Sequence, residues 1–187
     1  MACFISAGHN PKGIRIDNGA VGCGYKEAEL TVEFRDLVVN YIKSKYNDIK
    51  VITDKDDETL AEYLKRIQPG TGSVVVEFHF DAAPVINGRV ASGTTSIVGT
   101  NSTDKDNELA SELVNITSDV LRIRNRGVIS ESQSHRGRLG LMRKQGIVTL
   151  LEIAFITNEN DMKQYQLNKN ELAAKIGDII VKYDRMY

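Results

Sequence analysis

The fold this 187-residue sequence predicts is α/β: a three-layer sandwich with a mostly parallel, twisted sheet of about six strands and helices on both faces. Three observations carry that reading. Short apolar runs alternate with longer stretches of helical periodicity along the chain, as where crossover helices join successive strands. The runs over 3–9, 74–79 and 147–152 are close to continuously apolar, as strands buried on both faces require. They end on His9, His79 and Glu152, which places polar groups at the sheet edge where open α/β proteins bind ligands.

The elements follow in order. The run Cys3-Phe4-Ile5-Ser6-Ala7-Gly8-His9 gives the first strand, and the loop over 10–24 that follows it holds five glycines or prolines. A helix is expected over about 26–46, with Leu30, Phe34, Leu37, Val38 and Ile42 on one face. A short strand over 49–53 leads to a helix capped by Asp56 or Asp57 and stopped by Pro69-Gly70. The central strand covers 73–79. Asn87-Gly88 signals a hairpin within a turn-rich excursion over 82–93. Next come a strand over 94–99, a helix over 103–121 with Leu109, Leu113, Ile116 and Val120 inward, and a short strand over 127–129. A basic loop over 136–144 precedes the last buried strand, 147–153. Two closing helices are expected over 159–165 and 168–183. No repeat or low-complexity linker interrupts this pattern, so one domain over 1–187 is expected.

Composition narrows the function. With 41% hydrophobic residues the chain can fill a core of its own. A net charge of −1 and a pI near 6.3 favour neither nucleic acid nor an anionic membrane as partner. The lack of Trp and an aromatic content of 6% argue against a stacking platform. No apolar run approaches the roughly 18 residues of a membrane span. No basic and apolar leader precedes the first strand, so synthesis in the cytoplasm without a signal peptide is expected. Action outside would then need lysis or another export route. Cys3 and Cys23 match no zinc knuckle or redox pair and read as reduced thiols, with Cys23 close to the expected site.

Two imidazoles and a carboxylate gathered on one sheet edge suit a zinc hydrolase. Each residue also has a plainer reading. His9 could be a loop histidine bonded to backbone, and His79, closing a valine-rich run, needs some partner. A third ligand should be an acid. Glu27 and Glu29 both lie in the first turn of the first long helix, where the helix dipole alone would favour them. Glu77 shares a strand face with His79 and is a rival ligand or a partner orienting the imidazole. Glu152 would be a general base, or a structural carboxylate paired with Arg143 or Lys144. His135 reads as a solvated loop residue, or as a contact to a substrate peptide helped by Arg136, Arg138 and Arg143.

Four segments occur in order: Ser6-Ala7-Gly8-His9, Gly24-Tyr25-Lys26-Glu27, Glu77-Phe78-His79-Phe80-Asp81-Ala82, and Leu150-Leu151-Glu152-Ile153-Ala154-Phe155-Ile156-Thr157-Asn158. Between His9, Glu27, His79 and Glu152 lie 17, 51 and 72 residues. Together they resemble the signature blocks of the zinc-dependent N-acetylmuramoyl-L-alanine amidases of the amidase-3 type, over essentially the whole chain. The resemblance implies Zn²⁺ held by His9, Glu27 and His79, with Glu152 as catalytic acid/base. It implies peptidoglycan as substrate, cut between N-acetylmuramic acid and L-alanine, and a single catalytic amidase domain over 1–187 without a separate wall-binding module. With no leader in view, it suggests a phage or prophage endolysin acting on the cell wall. Asn10-Pro11 stands where many relatives carry two glycines, and Phe80-Asp81-Ala82 where a small residue, Asn and Ala are usual. The alternatives are a zinc exopeptidase of related fold and a catalytically degenerate wall-binding module.

Overall fold

The computed structural model describes residues 1–134 and 137–187. Its strands are β1 (Cys3–Ala7), β2 (Val21–Gly22), β3 (Tyr25–Lys26), β4 (Val51–Thr53), β5 (Val74–Asp81), β6 (Thr94–Val98), β7 (Asn125–Ser130) and β8 (Ile147–Phe155). Its α-helices are α1 (Glu27–Lys45), α2 (Leu60–Arg66), α3 (Asp104–Leu121) and α4 (Glu159–Asp184). Six strands form one sheet in the order β4-β1-β5-β8-β6-β7, and β2 and β3 form a separate hairpin. Every pairing in the large sheet is parallel except β6 with β8. The mostly parallel α/β sandwich is therefore as the sequence predicts, and β1, β5 and β8 are neighbours.

The faces of the sheet are covered unequally. Cys3, Ile5, Val74, Val76, Phe78, Ile147 and Leu151 join the large core with α1, α3 and α4. Their alternates Phe4, Val75 and Val148 join a smaller cluster with Tyr63 and Ile67 of the α2 segment and with Leu141. Strand side chains alternate between faces, so Ser6, Glu77, His79 and Glu152 fall on this second face, further along the same strands. The short helix α2 packs near the start of those strands. Their C-terminal ends stay open above it.

Four expectations change. The cap of α2 is Thr59, whose hydroxyl accepts from Glu62 N–H while the Glu62 carboxylate accepts from Thr59 N–H. Asp56 and Asp57 lie before it, and Asp56 instead binds Arg35. The two closing helices are one, α4, because the Asn168 side chain donates to Gln164 O within the helix rather than starting a new one. His79 and Glu152 are not the last residues of their strands: β5 continues through Asp81 and β8 through Phe155. The expected hairpin at Asn87-Gly88 is a minimal one, with Ile86 and Arg89 exchanging backbone hydrogen bonds around it. Among the described residues no helix is long and apolar enough to cross a membrane.

A buried cation ties α1 to the sheet. Arg35, 5% exposed, meets Asp54 at 3.0 Å, Asp56 at 2.8 Å and Asp36 at 2.9 Å. Asp54 also accepts the Ala7 N–H, so the pair holds the end of β1 just before His9. Burial pushes the Asp54 carboxyl up to about 6 even against the pull of Arg35. Arg35→Leu strips that acid of its counter-charge in a dry site and should destabilise the fold by about 3–5 kcal/mol. A urea midpoint shift worth less than about 1 kcal/mol would show that the network contributes little.

Candidate metal centre

The site is assembled from three elements. Beyond β1, Gly8 N–H donates to Phe78 O, and the chain turns at His9 with φ 68°, in the left-handed region. Asn10 and Asp17 then exchange backbone hydrogen bonds, which closes the loop and returns Asp17 to His9. The loop ends at the start of α1: Glu27 N–H donates to Ala20 O, and Ala28 N–H to Asn18 O. Glu27 is thereby the first residue of α1, 1% exposed and beside the end of β5.

Glu27 lies between the two histidines. Its Oε1 is 2.9 Å from His79 Nδ1, and its Oε2 is 3.2 Å from His9 Nε2. The imidazoles are edge to face, with centroids 5.2 Å apart and an interplanar angle of 81°. Each histidine meets a different carboxylate with its other nitrogen: His9 Nδ1 lies 2.8 Å from Asp17, and His79 Nε2 lies 3.1 Å from Glu77. Glu77 is fixed in turn by the Ser6 hydroxyl, which donates to it. The approach is so close that two glycines are obligatory. A Cβ on Gly8 would fall 2.2 Å from His79 Cε1, and one on Gly19 would fall 2.6 Å from Glu27 Oε2.

The electrostatics agree with a cation site. Burial disfavours the charge on Glu27, but the hydrogen bonds and charge of the two imidazoles hold its carboxyl far below the usual range. Burial would lower the pKa of His79. Contacts with Glu27 and Glu77 more than offset that and push it up to about 9. His9 is raised for the same reason, by Glu27 and Asp17. Protons on the imidazoles thus stand where a metal cation would provide positive charge. His9, Glu27 and His79 offer one ligand atom each, all within 4.8 Å of one another. His9 Nε2 is buried and lies 3.2 Å from the Glu27 carboxylate, as suits an atom placed for coordination.

The remaining candidates separate clearly. Glu29 is exposed and pairs with Lys26 at 3.1 Å, so of the two acids in the first turn only Glu27 joins the cluster. Glu77 serves as partner to His79. Glu152, 3% exposed, sits in register with His79 on the adjacent strand. The structural pairing considered for it is not the one adopted by Lys144, whose ammonium donates to Ile67 O. Arg138 and Arg143 line a cavity of about 680 Å³ with Lys105, Ile147 and Val148, at the opposite edge of the sheet. Leu139, next to Arg138, lines a different cavity with His9 and His79. His135 and Arg136 lie outside the described residues. Cys23 is exposed at the tip of the β2–β3 hairpin and is not a ligand. Sequence reasoning missed Asp17, since nothing in a glycine-rich loop marks which acid will fold back.

A family model described as N-acetylmuramoyl-L-alanine amidase matches residues 3–182. The chain belongs to that amidase family. Among solved structures, it is similar to the N-acetylmuramoyl-L-alanine amidase from Clostridium difficile 630, with 22% identity, 97% of this chain and 95% of that chain covered, and a TM-score of 0.76. It is also similar to the catalytic domain of the CD27L endolysin targeting Clostridia difficile, with 17% identity, 97% of both chains covered and a TM-score of 0.71. A third is the catalytic domain of CwlV, an N-acetylmuramoyl-L-alanine amidase from Bacillus (Paenibacillus) polymyxa var. colistinus, with 19% identity, 98% of both chains covered and a TM-score of 0.71. These likenesses show the fold. No curated protein matches the chain significantly. In this amidase His9 and Glu27 meet His79 of β5, and Glu152 stands in register with His79 on the adjacent β8.

Proposed function

We propose that this amidase is a zinc enzyme that hydrolyses the amide between the lactyl group of N-acetylmuramic acid and L-alanine in peptidoglycan. The convergence of His9, Glu27 and His79 beside Glu152 carries the reading. Zinc would be held by His9, Glu27 and His79, with Asp17 and Glu77 each accepting the other ring N–H of a histidine and so fixing its tautomer. Three protein ligands leave room for water or substrate, and the ion supplies polarisation of the carbonyl and acidification of water.

The protein's own part is proton handling. Glu152 lies one strand from His79 and opens into a cavity of about 270 Å³. As carboxylate it accepts the proton of the attacking water. As carboxylic acid it then gives that proton to the departing nitrogen of L-alanine, so that the C–N bond breaks with a neutral amine leaving. Its burial removes competing water from both transfers. On the other side of the histidines a cavity of about 620 Å³ is lined by Ile16, Leu60 and Leu139, an apolar wall able to take the sugar side of the substrate.

The place of action would be the cell wall, in the manner of an endolysin. Purified wall treated with the protein should yield new L-alanine amino termini, and a chelator should abolish them. Release of glycan reducing ends instead, or of amino termini from other residues, would overturn the assignment.

A further inference from the structure

We infer that Arg124 and Arg126 form a subsite for a carboxylate of the stem peptide, next to Glu152. This rests on the amidase reading and names the part of the substrate that this side of the site holds. Both arginines line the same cavity as Glu152. Buried Thr95, Ile97 and Glu152 make its floor, and the exposed arginines stand at its rim.

The backbone has been altered to put them there. Between Thr94 and Ser96 the β6–β7 ladder advances two residues on β6 but three on β7, from Asn125 to Val128. This bulge falls at Gly127, whose φ of 84° suits glycine. In an unbroken strand Arg126 and Ile129, three apart, would face opposite ways. With the bulge, Arg124, Arg126 and Ile129 all line one cavity.

Neither guanidinium is consumed by the fold. Arg126 lies over the Phe155 ring, 5.1 Å from its centroid, and donates to Ser92 O at 3.4 Å. Those contacts brace the group without neutralising it. Among the described residues neither arginine forms an ion pair. A braced, unpaired guanidinium loses little freedom on binding and is suited to a planar carboxylate.

Position then identifies which part of the substrate arrives. The group that protonates the departing nitrogen must lie beside it, so the leaving peptide runs into the cavity onto which Glu152 opens. The arginines at its rim meet a carboxylate a short distance along that peptide, such as the free α-carboxyl of a γ-linked second residue.

The test compares two ligands, N-acetylmuramoyl-L-alanyl-D-isoglutamate and its isoglutamine twin, in which that carboxylate is an amide. Each is titrated calorimetrically into zinc-loaded Glu152→Gln protein, and into the same protein carrying Arg124→Gln and Arg126→Gln. The arginine substitutions should weaken the acid about five- to tenfold and leave the amide unchanged, with metal content unaltered. Equal weakening of both ligands, or of neither, would overturn the proposal and leave the bulge as edge protection for β7. Turnover of both compounds by the unsubstituted enzyme tests the amidase reading separately. Its failure would sink that reading, while the binding difference would still report on the arginines.

Discussion

Replacing His79 with Ala is expected to yield a folded protein that holds no stoichiometric zinc and has no measurable amidase activity. The side chain supplies one of three proposed ligands. Loss of a mere supporting hydrogen bond around a metal site weakens binding about 10–100-fold, and loss of a ligand should exceed that. The fold should survive because the partners of His79 are not orphaned with it. Glu27 Oε1 still accepts the Phe80 N–H at 3.1 Å, and Oε2 still accepts the Ala20 N–H at 2.8 Å. Glu77 keeps the Ser6 hydroxyl. Metal content by atomic spectroscopy and secondary structure by circular dichroism, on one preparation, check both halves. Glu29→Gln is the control: Glu29 is exposed, pairs with Lys26 and should change neither. Zinc retained at full stoichiometry by His79→Ala would falsify the ligand set.

Much of this site is legible in the sequence, for identifiable reasons. A strand buried on both faces has no use for a polar side chain, so His79 after Val74-Val75-Val76 and Glu152 after Leu150-Leu151 stand out against their surroundings. Parallel pairing then sets them side by side, as the His79–Glu152 register shows. Choosing Glu27 over Glu29 was beyond residue patterns alone. Both suit the positive end of a helix, and only the closure of the loop onto Ala20 directs one inward. Asp17 was illegible because its role depends on the Asn10–Asp17 pairing. The Asn10 side chain closes the same loop by donating to Lys12 O and Arg15 O. Arg124 and Arg126 were hidden by a bulge, which defeats the alternation on which strand readings depend. Cap preference points to Asp56 or Asp57 rather than Thr59, because it does not reveal that Asp56 is claimed by Arg35.

Glu152→Gln is expected to keep its zinc and its affinity for wall fragments while losing about 10²–10⁴-fold in turnover, the usual contribution of general acid–base catalysis. The substitution preserves shape and removes the one group proposed to carry the proton from water to the departing amine. Its structural cost should be small, since the side chain is replaced by an isostere and the backbone of residue 152 keeps its place: Glu152 O still accepts the Thr94 hydroxyl at 2.8 Å, and the strand still pairs with β5 and β6. Three results are distinguishable on one purified sample. Zinc kept with turnover lost assigns Glu152 to proton transfer. Zinc lost together with turnover makes it a fourth ligand. Turnover within a few-fold of the unsubstituted enzyme makes it structural, and the proton must then be handled elsewhere.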